Sequence, residues 1–341
     1  MQPRPVSNPP NPWHSTEVEY FEDVPPAKLE IYEDRTREIL SSNDSPDLGF
    51  TWSVNPYRGC FHACLYCYAR PTHEYLGWGA GTDFDRKILV KPRAAELLRE
   101  AFERPSWKGE LVVFSGNTDC YQPLEASYRL TRGCLEACAD YRNPVAVITK
   151  SPLIERDLDV LLSLHRDASL GVTVSIPIWD REAAHAIEPF VATPERRMKT
   201  IERLAAAGLD VGINVAPLIP GISDDDLGEL LERARDAGAR HAGFVFLRLP
   251  GSVRQVFEEG LRARLPLRAG KVLSRVREAR GGKLYDSRWG LRQRGQGPLA
   301  EAMGALFAST ARRLGLRTAC FGERPATFRR PARGMEQLGL F

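Results

Sequence analysis

The chain of 341 residues holds no run of eighteen apolar residues, the length needed to cross a bilayer, so neither a membrane span nor a membrane partner is expected. Its first residues, MQPRPVSNPPNPWHS, contain no apolar segment; this excludes a secretory signal there and sets the expectation of a cytosolic protein. The glycines of GWGAGTDFD follow no strand and lack GxGxxG spacing, which excludes a dinucleotide fingerprint; the stretch is expected to be a loop. An even set of cysteines is missing too. Seven in a chain of this length do not make the disulfide framework of a small secreted domain. Clustered thiols in a reducing compartment are more often metal ligands or catalytic groups.

What is present is an ordinary globular composition, 43% hydrophobic, with a net charge of only +3. That charge is unevenly spread. Residues 248–341 hold 20 Lys and Arg against 7 Asp and Glu, whereas residues 1–247 hold 27 against 37. A basic C-terminal third suits a polyanionic partner, so nucleic acid is expected there, although arginines solvating helix surfaces give the same count. YDSRWGLRQRGQG interleaves aromatics with arginines, as phosphate and base contacts require.

Residues 1–50 form an N-terminal extension, with the Pro-rich first sixteen expected to be disordered and a short helix expected near Glu33–Leu40. From Thr51 a rhythm begins. TWSVNPY, ELVVFSG, PVAVITK, SLGVTVSIP, DVGINVAPLIP and HAGFVFLRLP are apolar, strand-length runs, as parallel strands buried on both faces must be. Helical patterns separate them. Thr193, Pro194 and Gly208 cap, open and stop one helix, and Ser223 is expected to cap the next. Six alternating βα units over 51–250 predict an α/β sheet or barrel with its chemistry at the carboxyl ends of the strands. Residues 251–341 are expected to be mainly helical and basic, with the last twenty poorly ordered.

NPYRGCFHACLYCYARPTHEY, residues 55–75, places Cys60, Cys64 and Cys67 just after the first strand. Three thiols there can hold a metal, form a disulfide or simply pack. Zinc in a structural site takes four protein ligands, and His62 or His73 offers the fourth. An iron–sulfur cluster is held by thiolates, and three of them leave one iron open.

The C-x3-C-x2-C spacing, with Tyr66 before the last cysteine, resembles the radical S-adenosylmethionine enzymes. NPYRGC, CLYCYARPTHEYLG and DFDRKILVKP resemble the spore photoproduct lyase-like, or DNA repair photolyase-like, subgroup. The resemblance covers roughly residues 33–250. It implies a partial (β/α)6 TIM-type barrel. It further implies that Cys60, Cys64 and Cys67 hold a [4Fe-4S] cluster whose open iron binds S-adenosylmethionine. One electron from an external donor such as flavodoxin or ferredoxin then yields a 5′-deoxyadenosyl radical that abstracts hydrogen from a substrate. By the same resemblance Tyr66 lies near the adenine, Asn117, Thr118 or Asp119 near the methionine amino group, Lys150 on the carboxylate and Ser175 on the ribose. Asn214, an amide among apolar neighbours, is a further cofactor candidate, although a structural hydrogen bond also explains it. Photoproduct lyases use a cysteine near the end of the second strand as hydrogen donor. Ser115 and Gly116 hold that place here, and Cys120 is the candidate. Cys134 and Cys138, one helical turn apart, are core residues or, with Cys120, an auxiliary cluster. The rivals are a radical enzyme acting on a protein or small molecule, and a non-catalytic zinc-bearing nucleic-acid-binding protein.

Overall fold

Residues 4–6, 28–318 and 326–331 are described by the computed structural model. The strands are β1 (Arg4–Val6), β2 (Glu30–Glu33), β3 (Leu40–Ser42), β4 (Trp52–Val54), β5 (Tyr57–Arg58), β6 (Lys87–Val90), β7 (Val112–Phe114), β8 (Val145–Thr149), β9 (Leu170–Ser175), β10 (Val211–Leu218) and β11 (His241–Phe246). The helices of the first half are α1 (Thr82–Arg86), α2 (Ala94–Glu103), α3 (Glu125–Tyr128), α4 (Leu130–Asp140), α5 (Leu158–Asp167) and α6 (Arg181–Ile187). Those of the second half are α7 (Pro194–Ala206), α8 (Leu227–Asp236), α9 (Val253–Arg264), α10 (Pro266–Glu278), α11 (Leu291–Arg294) and α12 (Pro298–Arg313).

The six apolar runs become β4, β7, β8, β9, β10 and β11, paired in parallel and in chain order, with β3 antiparallel on the outer edge. Helices follow every strand, and the whole is a partial (β/α)6 barrel. Phe114, Val147, Val172, Ile213 and Val215 are fully buried, packed with Leu98, Leu135, Leu161, Leu204 and Leu231 from the surrounding helices. A second sheet, ordered β1-β2-β6-β5, stands beside the barrel. Its β5 launches the cysteine loop and β6 receives the chain after it. None of the described helices is long and apolar enough to cross a membrane.

Four expectations need correction. The charged stretch near Glu33–Leu40 is not helical: Ile31 pairs with Ile88 across β2 and β6, and Leu40 joins the barrel edge. Ser223 does not cap α8; its hydroxyl accepts the Ile219 N–H while Asp224 takes Gly221 and Arg275, so the helix opens only at Leu227. Beyond Pro250, α9 buries Val253, Phe257 and Leu261 at four-residue spacing. Within the Pro-rich N-terminus, Arg4–Val6 pairs with β2. The tail is ordered at residues 326–331, where Phe328 packs on Phe102 and Tyr141. The rest of the first sixteen and last twenty residues lies outside the described residues.

Candidate functional site

The cysteine loop is a backbone held open by one side chain. Gly59 enters it at φ +78°, where a Cβ would lie 2.7 Å from the Phe84 carbonyl, and Ala63 also has a positive φ. Arg70, 2% exposed, fills the interior of the turn. Its Nε donates to the Cys64 carbonyl at 3.0 Å and its Nη2 to Ala63 at 3.0 Å. Its Nη1 donates to Ala80 at 2.9 Å and Gly81 at 2.8 Å. Leu65 anchors the loop to α6 through the Ile187 carbonyl, 3.0 Å away.

Cys60, Cys64 and Cys67 are unpaired thiols on the wall of one cavity of about 1380 Å³. No disulfide forms among them. Burial pushes the Cys60 thiol well up and that of Cys64 up to about 12, and it raises Cys67 against the pull of Arg70. Thiols so placed need a cation to ionise, which an iron–sulfur core supplies, so the donor set fits such a cluster. A single zinc fits less well. A structural zinc takes four protein ligands, and His73 is committed through Nε2 to the Lys87 carbonyl at 2.8 Å.

The cavity sits at the carboxyl ends of the barrel strands. Tyr66, Asn117, Thr118, Asp119, Lys150, Ser175 and Asn214 all line it, so the strand ends marked in the sequence do converge. Lys150 follows β8 and points its ammonium over the Tyr66 ring, 5.8 Å from the centroid, with no carboxylate of the described residues in salt-bridge range. Burial acts to lower this ammonium, but Cys64, Glu188 and Asp119 together outweigh it and raise it. Asp119 is a clamp. Its oxygens accept from the Tyr121 N–H at 2.9 Å, the Thr149 hydroxyl at 2.7 Å and the Lys150 N–H at 2.7 Å. His62, 4% exposed, faces it at 3.5 Å and is kept neutral by burial. Asn117 is exposed at the rim, and the Asn214 amide has no hydrogen-bond partner among the described residues.

Cys120 is not brought to this site. It is fully buried in the main core, to which Cys134 and Cys138 also belong, its N–H donating to the Ser115 hydroxyl at 2.9 Å. The short TDCY turn folds its side chain inward, so the expected thiol hydrogen donor is absent from the cavity wall. Cys120, Cys134 and Cys138 pack as small apolar core residues. The GWGAGTDFD loop contains α1, which seats Phe84 against Cys60 and Ala69.

Two groups escaped the sequence. One is Arg70. The other is the buried pair Arg197–Glu188, 2.7 Å apart and each 1% exposed by side chain. Glu188 also accepts the Tyr66 hydroxyl, and Arg197 donates to the Ser175 carbonyl at 3.0 Å. Two cavity residues are thus fixed by one ion pair behind them.

Comparison with known proteins agrees with this arrangement. Residues 54–234 match the family model described as the Radical SAM superfamily. An uncharacterised protein of Mycobacterium tuberculosis is 40% identical over 233 residues, 68% of this chain and 67% of that protein. The radical SAM Nα-GlyT isomerase of Pseudomonas phage M6 is 24% identical over 62% of this chain and 42% of its own. Spore photoproduct lyase, solved as a mutant with bound S-adenosylmethionine and a dinucleoside spore photoproduct, superposes with a TM-score of 0.63. It shares 15% identity over 84% of this chain and 81% of its own, a likeness of fold.

Proposed function

The chain belongs to the radical SAM superfamily, whose cofactors are a [4Fe-4S] cluster and S-adenosylmethionine, and from that premise we propose that Cys60, Cys64 and Cys67 are the cluster ligands of a hydrogen-abstracting enzyme. The observation that carries this is the convergence of three unpaired thiols and the ammonium of Lys150 on one cavity at the strand ends. When bound, the two cofactors supply a 5′-deoxyadenosyl radical on one-electron reduction by an external carrier of the flavodoxin or ferredoxin kind.

The residues around the cavity orient and exclude. Lys150, in no salt bridge among the described residues, receives the cofactor carboxylate; Asp119 holds the Lys150 backbone through its N–H and so sets where that ammonium stands. Asn117 at the rim takes the methionine amino group. Ser175, held through its carbonyl by Arg197, meets the ribose, and the Asn214 amide offers its unspent hydrogen bonds to the nucleoside. Tyr66, pinned by Glu188, gives the adenine a fixed aromatic edge. Phe84 and Leu65 close the loop behind the thiols against water, which a reactive radical requires.

The test is anaerobic. The protein is reconstituted with iron and sulfide, given S-adenosylmethionine and dithionite, and assayed for 5′-deoxyadenosine by chromatography. Wild type is expected to form it, Cys64→Ala to form none, and Lys150→Met to retain its iron and lose at least about tenfold of the product, one charge-assisted hydrogen bond. A protein that takes up no iron–sulfur cluster overturns the reading.

A further inference from the structure

Residues 117–122, the turn after β7, run beside the chain that leads into the cysteine loop, and every second residue of 55–61 is bonded to them. The Asn117 N–H donates to Asn55 Oδ1 at 2.8 Å, and the Thr118 hydroxyl donates to the Tyr57 carbonyl at 2.9 Å. The Gln122 side chain then takes two residues at once. Its Nε2 donates to the Gly59 carbonyl at 3.0 Å, and its Oε1 accepts the Phe61 N–H at 3.0 Å. Asn55, Tyr57, Gly59 and Phe61 alternate as the bonded residues of a strand do, so the turn stands in for a neighbouring strand, largely with side chains. The turn is entered through Ser115, whose φ of +70° is rare for a residue with a Cβ, and it is closed by the Cys120 N–H on the Ser115 hydroxyl at 2.9 Å.

Gln122 brackets Cys60. Its two bonds fall on the residues before and after that cysteine. The Cys60 N–H itself donates to the Phe84 carbonyl at 3.1 Å, so the backbone around this thiol is gripped by two separate parts of the chain. The next peptide N–H after Phe61, that of His62, donates to the Cys60 sulfur. Gln122 is fully buried, and the site suits an amide alone. An amide carries a donor and an acceptor side by side without charge. A carboxylate would set oxygen against the Gly59 carbonyl, and Asn is one methylene too short to span both residues. A buried amide that lost these partners would cost the fold more than the bonds themselves contribute.

The same turn reaches across to β8. Asp119 holds the Thr149 hydroxyl and the Lys150 N–H, each at 2.7 Å, and its carbonyl accepts the Gln122 N–H at 3.2 Å. One short stretch thus fixes a thiol of the cysteine loop and the residue whose ammonium stands over Tyr66. Outer partners of this kind orient the ligands of a metal centre and tune what it does. Resting on the reading of the three thiols as cluster ligands, we propose that Gln122 is a positioning residue for Cys60, and that the turn carrying Gln122 and Asp119 holds the cluster thiol and the cofactor-binding ammonium of Lys150 in one register. Gln122 acts through Cys60 and touches no reacting atom itself.

The experiment compares full-length wild type with Gln122→Met, which keeps the side-chain length and loses both hydrogen bonds, with Gln122→Asn, and with Phe328→Ala, which perturbs packing in the tail. In metal-free protein, iodoacetamide alkylation of each cysteine is followed by mass spectrometry. Gln122→Met is expected to raise the Cys60 rate about fivefold, the worth of one net hydrogen bond, and the Cys64 and Cys67 rates less than about twofold. In cluster-loaded protein, the electron paramagnetic resonance spectrum of the reduced cluster is titrated with S-adenosylmethionine. The concentration giving half the spectral change is expected to rise about tenfold in Gln122→Met and to keep its wild-type value in Phe328→Ala. Denaturation midpoints report folding, and Gln122→Asn decides both readouts if the Met variant does not fold. Alkylation that rises equally at all three cysteines overturns the proposal. So does an unchanged half-saturation alongside lowered stability, which is what a residue that only stabilises the loop would give. If wild type loads no cluster, the radical reading fails, and the selectivity of alkylation for Cys60 still decides whether Gln122 positions that thiol.

Discussion

At the scale of the residue, the cysteine loop depends on Arg70 as much as on its thiols. Four carbonyls converge on one guanidinium from residues 63, 64, 80 and 81. Each loses a buried partner in Arg70→Met, at about 1 kcal/mol apiece after water enters. Chemical denaturation is expected to show a loss of about 2–4 kcal/mol, with iron uptake falling in parallel; unchanged uptake would show that the thiols need no such support. Lys91 offers a pH test away from the site. It is 6% exposed, and burial, partly offset by Asp34, brings its ammonium down to about 8. Between about pH 8 and 10.5 the unfolded chain then binds more protons than the folded one, so stability rises with pH across that window. Below it the buried charge costs about 3 kcal/mol. Lys91→Met is expected to be more stable than wild type at pH 7 by about 1–3 kcal/mol, with the gap closing by pH 10. The three cysteines were legible in the sequence because their spacing is local and their chemistry rare. Arg70 was not, because backbone carbonyls leave no mark in a sequence.

At the scale of the element, the barrel shows why some features can be read and others cannot. β7, β8 and β9 are buried along almost their whole length and β4, β10 and β11 in part, so each announces itself as an apolar run between helical patterns. β2 and β3 carry too few buried residues to do so, and charges spaced along them imitate a helix. The Glu188–Arg197 pair was hidden for another reason: it joins the end of α6 to α7 behind the cavity, and its partners Tyr66 and Ser175 lie in other elements. Removing one member strands the other. Glu188→Gln alone is expected to cost about 3–5 kcal/mol, whereas Glu188→Met with Arg197→Leu costs markedly less. Urea midpoints of the two singles and the double give the coupling, expected to be at least about 2 kcal/mol. Additive losses would mean that each residue is held by its other contacts rather than by the pair. The same variants report on the site, since Tyr66 and Ser175 lose a common support and cofactor affinity is expected to fall while the cysteine loop stays intact.

At the scale of the whole molecule, the two ends of the barrel are built for different tasks. The carboxyl end holds the cavity, while the tail packs at the opposite end on α2 and the turn before β7. Phe328 packs on Phe102 and Tyr141 and lies over Gly109, whose φ of +82° and missing Cβ leave room for the ring. The neighbouring Arg330 donates to the carbonyls of Phe102, Arg104 and Trp107. A tail that looks like loose, basic sequence is thereby tied to α2 and to the turn before β7. This arrangement separates stability from chemistry. Phe328→Ala is expected to lower stability by about 1–3 kcal/mol, because a half-buried aromatic loses its contacts, and to leave iron content and 5′-deoxyadenosine formation unchanged. Gly109→Ala would bring a Cβ to 2.2 Å from the Phe328 Cβ and 2.7 Å from its Cγ as well as straining the turn; Phe328→Ala removes the ring but keeps that Cβ, so the cost should be larger in wild type than in the Phe328→Ala background, where the Cβ contact and the strain of about 1 kcal/mol remain. Thermal unfolding of the four proteins decides the matter. Equal cost in both backgrounds would place the ring elsewhere than over Gly109, and a fall in cluster content would mean that the tail end of the barrel also supports the cavity end.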